Sequence, residues 1–154
     1  MAAMSTPAAS DRPLIEVSQL TKSYTLGDQT VHALAGVSLR IAAGEIGYSR
    51  WTDPQPGTKY GRWYAQSHGS YYGASGVPFC AMFVSWVMSR AGQAFPGLPA
   101  AYVPYVLSAG RSRAVSTRSA KPGDIVIFNW DGGVVDHIGF VEANHGSYIQ
   151  TIEG

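Results

Sequence analysis

Apolar and polar positions alternate with a period of two at the start of this chain. Leu14-Ile-Glu-Val-Ser-Gln-Leu20 reads as a half-buried strand. Val31-His-Ala-Leu-Ala-Gly-Val-Ser-Leu-Arg-Ile41 repeats the pattern with a glycine interruption, and Leu26-Gly-Asp-Gln-Thr30 between them carries turn chemistry. Residues 14–45 therefore predict a β-hairpin. The small residues of 1–13 have neither a basic start nor an apolar core, so a disordered tail is expected there rather than a secretory signal.

From about Gly44–Gly47 the pattern changes. Thr52-Asp-Pro-Gln-Pro-Gly57 is a loop, and Lys59–Ser67 fits a short helix. Cys80–Ala91 fits a longer one, with Phe83, Val84 and Val87 on one stripe and Gly92 ending it. Pro96, Pro99 and Pro104 break the next stretch, and Tyr102–Ala109 fits another short helix. After the turn Lys121-Pro-Gly-Asp124 come three β-branched or aromatic runs, Ile125–Trp130, His137–Ala143 and Tyr148–Glu153. Asp131-Gly-Gly133 and Asn144-His-Gly146 separate them, which predicts an antiparallel meander. Helices followed by strands give an α+β layout.

Composition narrows the class. A chain of 154 residues, 45% hydrophobic, can bury a core. A net charge of +1 excludes a strongly electrostatic partner such as bulk nucleic acid. No apolar run approaches the roughly 18–20 residues of a membrane span. A monomer of ordinary domain size, without nucleic-acid or membrane partners, is the expectation.

The chemistry sits in two places. Cys80, the one cysteine, starts the apolar helix, where the helix dipole and free N–H groups favour thiolate. His137 opens a strand. Together they outline a thiol hydrolase: the thiolate attacks an amide carbonyl, and the imidazole takes the proton and returns it to the leaving amine. The Cys80 N–H at the helix start is a natural oxyanion donor. Taken singly, each residue also has a plain structural reading: a small buried apolar group for Cys80, a surface or capping side chain for His137. Asp136 reads first as turn chemistry, His145 as a solvent-facing turn residue, and Arg111, Arg113, Arg118 and Lys121 as a solvated basic loop. His32 and His68 have no partner pattern. The aromatics from Trp51 to Tyr72 read as core and loop packing, with a sugar-stacking groove as the alternative.

Two resemblances follow. Leu14–Tyr24 and His32–Glu45 resemble the opening of an ABC transporter ATPase subunit of the lipoprotein-release or macrolide-export type, in which Tyr24 would match the adenine-stacking aromatic. The G-x-x-x-x-G-K-[ST] loop does not follow, so the expectation is a severed fragment that binds no nucleotide. Residues 46–154 resemble the CHAP domain, the cysteine, histidine-dependent amidohydrolase/peptidase family of the NlpC/P60-like, papain-like group. The carriers are Phe79-Cys-Ala-Met-Phe-Val-Ser-Trp86, Lys121-Pro-Gly-Asp-Ile-Val-Ile-Phe128, Asp136-His-Ile-Gly-Phe-Val-Glu142 and Thr151-Ile-Glu-Gly154, with Tyr60-Gly-Arg-Trp-Tyr64 in support.

The second resemblance implies Cys80 as nucleophile, His137 as base and Glu153 as the group that orients the imidazole. It implies bacterial peptidoglycan as substrate, cut at N-acetylmuramoyl–L-alanine or within the stem peptide or cross-bridge, and no cofactor. Some members bind calcium in an acidic loop before the cysteine; that region here offers Asp53 alone, so no metal site is expected. The family's Asn and further strands would follow Gly154, so an incomplete C-terminus is expected. Without a signal, release by lysis or carriage in a virion is expected. The competing reading is a truncated or fused product that keeps a CHAP-like core without turnover.

Overall fold

The computed structural model describes residues 35–154. Leu14–Leu20, Tyr24, the 26–30 turn and His32 lie outside the described residues. The elements run α1 (Ala35–Ala43), α2 (Lys59–His68), α3 (Cys80–Arg90), α4 (Val103–Gly110), β1 (Ile125–Phe128), β2 (His137–Asn144) and β3 (Ile149–Glu153). Helices precede strands, and the sheet is an antiparallel meander in the order β1-β2-β3, as the α+β reading requires. No described helix is long and apolar enough to cross a membrane.

One expectation is corrected. The second strand of the N-terminal hairpin, Val31–Ile41, is helical from Ala35 onward. Over so short a run, alternation at Val37, Leu39 and Ile41 cannot be told from a helical stripe at Ser38, Leu39 and Ala42. Packing decides between them: Ser38 and Ala42 are fully buried, and α1 lies against α3 and β2.

Elsewhere the local chemistry explains the elements. Thr58 caps α2, its hydroxyl accepting from Gly61 N–H at 3.1 Å. The preceding loop is held by Asp53, whose carboxylate accepts two bonds from Arg62 Nη2 at 2.9 and 2.8 Å and one from Tyr48 Oη at 2.5 Å. Gly57, at φ +78°, is required there, since a Cβ would lie 2.2 Å from the Gly73 carbonyl oxygen.

The helix that carries the cysteine is the centre of the molecule. All side chains from Cys80 to Ser85 are buried, with Val87 and Met88. A helix apolar nearly all round belongs inside a core, and α3 contacts α1, α2 and β2. Phe83 bridges the layers, edge-on to Tyr60 of α2 at 5.1 Å and to Phe140 of β2 at 6.2 Å. The one hydroxyl proton of buried Ser85 is shared between Ala81 O at 2.7 Å and Ala100 O at 3.0 Å, and its oxygen accepts from Ala100 N–H at 2.9 Å. This ties the proline-broken loop to α3.

The sheet has two faces. Ile138, Phe140 and Ile152 join the core around α3. Pairing sets Phe128 opposite His137 and Gly139 opposite Glu153. Side chains alternate along strands, so His137, Gly139, Thr151 and Glu153 share the other face.

Candidate active site

Cys80 is the first residue of α3, following Phe79, which provides no side-chain cap. Its side chain is nearly buried, and the thiol donates to the main-chain oxygen of Asp136 at 3.8 Å. The N–H of Ile138 also faces the sulfur. Two main-chain groups that bracket His137 therefore meet the thiol, which brings α3 and β2 together at this point. The imidazole itself is not the thiol's hydrogen-bond partner.

Burial pushes the Cys80 thiol above its ordinary range. The N–H groups of Ala81, Ile138 and Cys80 pull the other way, and the Asp136 charge adds to the rise. The expectation of a thiolate at the helix start is thus corrected. Desolvation outweighs the helix terminus, because the low-dielectric surroundings disfavour charge on sulfur more than a few N–H dipoles favour it.

His137 Nε2 lies 2.8 Å from Glu153 Oε2. The other carboxylate oxygen, Oε1, accepts from Thr151 Oγ1 at 2.6 Å. The ring packs on Trp130, with centroids 5.0 Å apart and planes 26° apart, and lies 5.7 Å from Phe128. Trp130 is exposed, so its indole stands between the imidazole and solvent. Neither Trp130 nor Thr151 stands out as a site residue in the sequence. The signal for Thr151 was its spacing of two from Glu153, which puts both on one strand face.

The other singled-out residues take ordinary places. Asp136 is exposed and contributes its main-chain oxygen. His145 is exposed in the β2–β3 turn and stacks on Tyr148 at 4.6 Å. His68 stacks on Tyr64 at 3.9 Å. Arg111, Arg113, Arg118 and Lys121 are exposed. The aromatic stretch divides: Tyr60 and Tyr64 are core, whereas Trp51 and Tyr71 are exposed. Among the described residues no group of three or more His, Cys, Asp or Glu side chains is gathered to hold a metal ion.

A buried cysteine at a helix start packs on the main chain either side of a strand histidine, and that histidine's ring is paired to a carboxylate; these are residue types used in acyl transfer. The model of the CHAP domain family matches residues 70–154, more than half of the chain. The chain belongs to the CHAP domain family. The matched segment takes in α3 and the whole sheet, and so contains Cys80, His137 and Glu153. CHAP domains are hydrolytic amidases or peptidases that act on peptidoglycan. The match leaves residues 14–45 outside it, and the likeness of that segment to a transporter ATPase is not supported. No curated protein matches the chain. No solved structure matches it either.

Proposed function

We propose that this CHAP chain is a cysteine hydrolase of papain-like layout that cuts an amide bond of bacterial peptidoglycan. Cys80 is the nucleophile, His137 the base and Glu153 the group that orients the imidazole. The observation that carries the reading is the junction of α3 with β2, where the Cys80 thiol packs on the main chain flanking His137 while His137 Nε2 is held by Glu153 at 2.8 Å.

The roles follow from the bonding. With Nε2–H donated to the Glu153 carboxylate, Nδ1 carries the lone pair. The thiol rotates from the Asp136 carbonyl and passes its proton to Nδ1 as sulfur attacks the amide carbon. The carbonyl oxygen becomes an oxyanion that the Cys80 N–H at the start of α3 stabilises. The intermediate collapses as the C–N bond breaks, and the imidazolium gives its proton to the leaving amine. Water then attacks the thioester, again losing its proton to His137, and the thiol is restored. A buried neutral thiol suits this order, because thiolate forms only as the bond to carbon is made.

A folded core without turnover is the second reading. It is favoured by one observation: burial raises the thiol, whose proton points to main chain rather than to the ring. One experiment separates the two. The purified chain and Cys80→Ala are incubated with purified cell walls, and turbidity and released amino groups are followed. Release by the wild-type chain that Cys80→Ala abolishes is the expected result. No release supports the second reading, and lysis that survives Cys80→Ala makes the cysteine structural.

A further inference from the structure

We infer that Thr151 and Gly139 are positioning residues for His137, acting through Glu153; the inference rests on His137 being the base. Glu153 pairs with Gly139, not with His137. His137 lies two residues away along β2, so the carboxylate reaches a diagonal neighbour on the same face. To do so its stem passes over Gly139. A Cβ at position 139 would lie 2.8 Å from Glu153 Cγ and 2.7 Å from the Ile152 carbonyl oxygen. Glycine there leaves the track open, and any side chain would push the Glu153 stem or the β3 backbone away from His137.

An open track does not fix the carboxylate's rotation. Thr151 does. Its hydroxyl donates to Glu153 Oε1 at 2.6 Å, while Oε2 meets His137 Nε2 at 2.8 Å. A hydroxyl donating to a carboxylate is a charge-assisted bond, and the β-branched side chain that carries it is stiff about χ1. Glu153 is therefore held at both oxygens, one by its own strand and one by the imidazole. Its side chain is about one-third exposed (32%), so an unheld carboxylate would turn towards water. With it turned, the hydrogen bond that keeps Nε2–H pointing along the sheet and Nδ1 free to take the thiol proton would be lost.

The test uses the full chain, with Thr151→Val, which keeps the shape and removes the hydroxyl, Thr151→Ser, which keeps the hydroxyl, and Gly139→Ala. Amine release from cell walls gives kcat and KM, and NMR of the ¹⁵N-labelled imidazole reads the His137 Nε2–H proton without turnover. Thr151→Val should lower kcat on the order of tenfold, the loss of one bond to a charged group, with KM unchanged. It should also broaden or abolish the Nε2–H signal. Thr151→Ser should keep both. Gly139→Ala should behave as Glu153→Ala does. The inference is overturned if Thr151→Val keeps the wild-type signal and kcat, if Thr151→Ser falls as far as Thr151→Val, or if the wild-type chain shows no hydrogen-bonded Nε2–H. A wild-type chain that releases nothing from walls defeats the hydrolase reading alone, since the imidazole spectra still decide this one.

Discussion

The thiol of Cys80 and the main-chain oxygen of Asp136 lie 3.8 Å apart, one residue before the imidazole that would take the thiol's proton. The contact parks the proton on main chain in the resting protein.

Three substitutions should grade the roles. Cys80→Ala should remove all amine release from cell walls. His137→Ala should fall nearly as far, because both act in one step and their losses do not add. Glu153→Ala should keep partial activity, since an orienting group contributes less than the nucleophile. Initial rates of the three variants check this order, and a Glu153→Ala variant as dead as Cys80→Ala would give the carboxylate a direct part in the chemistry.

The raised thiol predicts slow alkylation near neutral pH. The rate with iodoacetamide should climb at higher pH than that of a small free thiol run in parallel, because burial disfavours the thiolate. The same shift acts on stability. The folded state holds the proton more tightly than the unfolded state, so this contribution is intact below the ordinary thiol value and is lost as pH rises from there through the raised value. Alkylation that follows the free thiol would mean that the side chain is effectively solvated.

Asp53 should govern part of the acid sensitivity. The Arg62 guanidinium, then the Tyr48 hydroxyl and the Gln55 N–H, hold its carboxyl well below the usual carboxylate range. The stability this gives is present above the ordinary value of about 4 and lost as pH falls further. Asp53→Asn should lower Tm at pH 7 and flatten the fall of Tm below about pH 4. Parallel Tm–pH curves for variant and wild type would show that the Asp53–Arg62 pair adds nothing.

Ser85→Ala should cost about 1–3 kcal/mol in denaturant unfolding. The substitution strips the buried partner from Ala100 N–H and O, which are otherwise satisfied at 2.9 and 3.0 Å. A loss within a few tenths of a kcal/mol would show that the proline loop re-forms its bonds elsewhere.

The legible parts of the sequence were those whose signals are local. Lys59–His68 and Cys80–Arg90 have clear starts, at the Thr58 cap and after the Val77-Pro78 break. The meander was marked by its Gly-containing turns, and its strands begin within a residue of expectation for β1 and β2. Ala35–Ala43 was misread because nine residues do not separate the two periods, and only contact with α3 settles which face is buried. The stripe at Phe83, Val84 and Val87 understated α3, which is covered on nearly every side.

By itself the sequence determined that a cysteine would open an apolar helix, that a histidine would open a strand, and that a carboxylate would end another. Those are matters of propensity, turn chemistry and spacing. The tertiary structure alone decided three things. It set β3 on β2 so that Glu153 crosses Gly139 to reach His137. It laid Trp130 over the imidazole. It buried the Cys80 sulfur so far that desolvation overrides the helix terminus. Register, stacking and solvent exclusion depend on groups distant along the chain, and no local pattern records how closely they approach once packed.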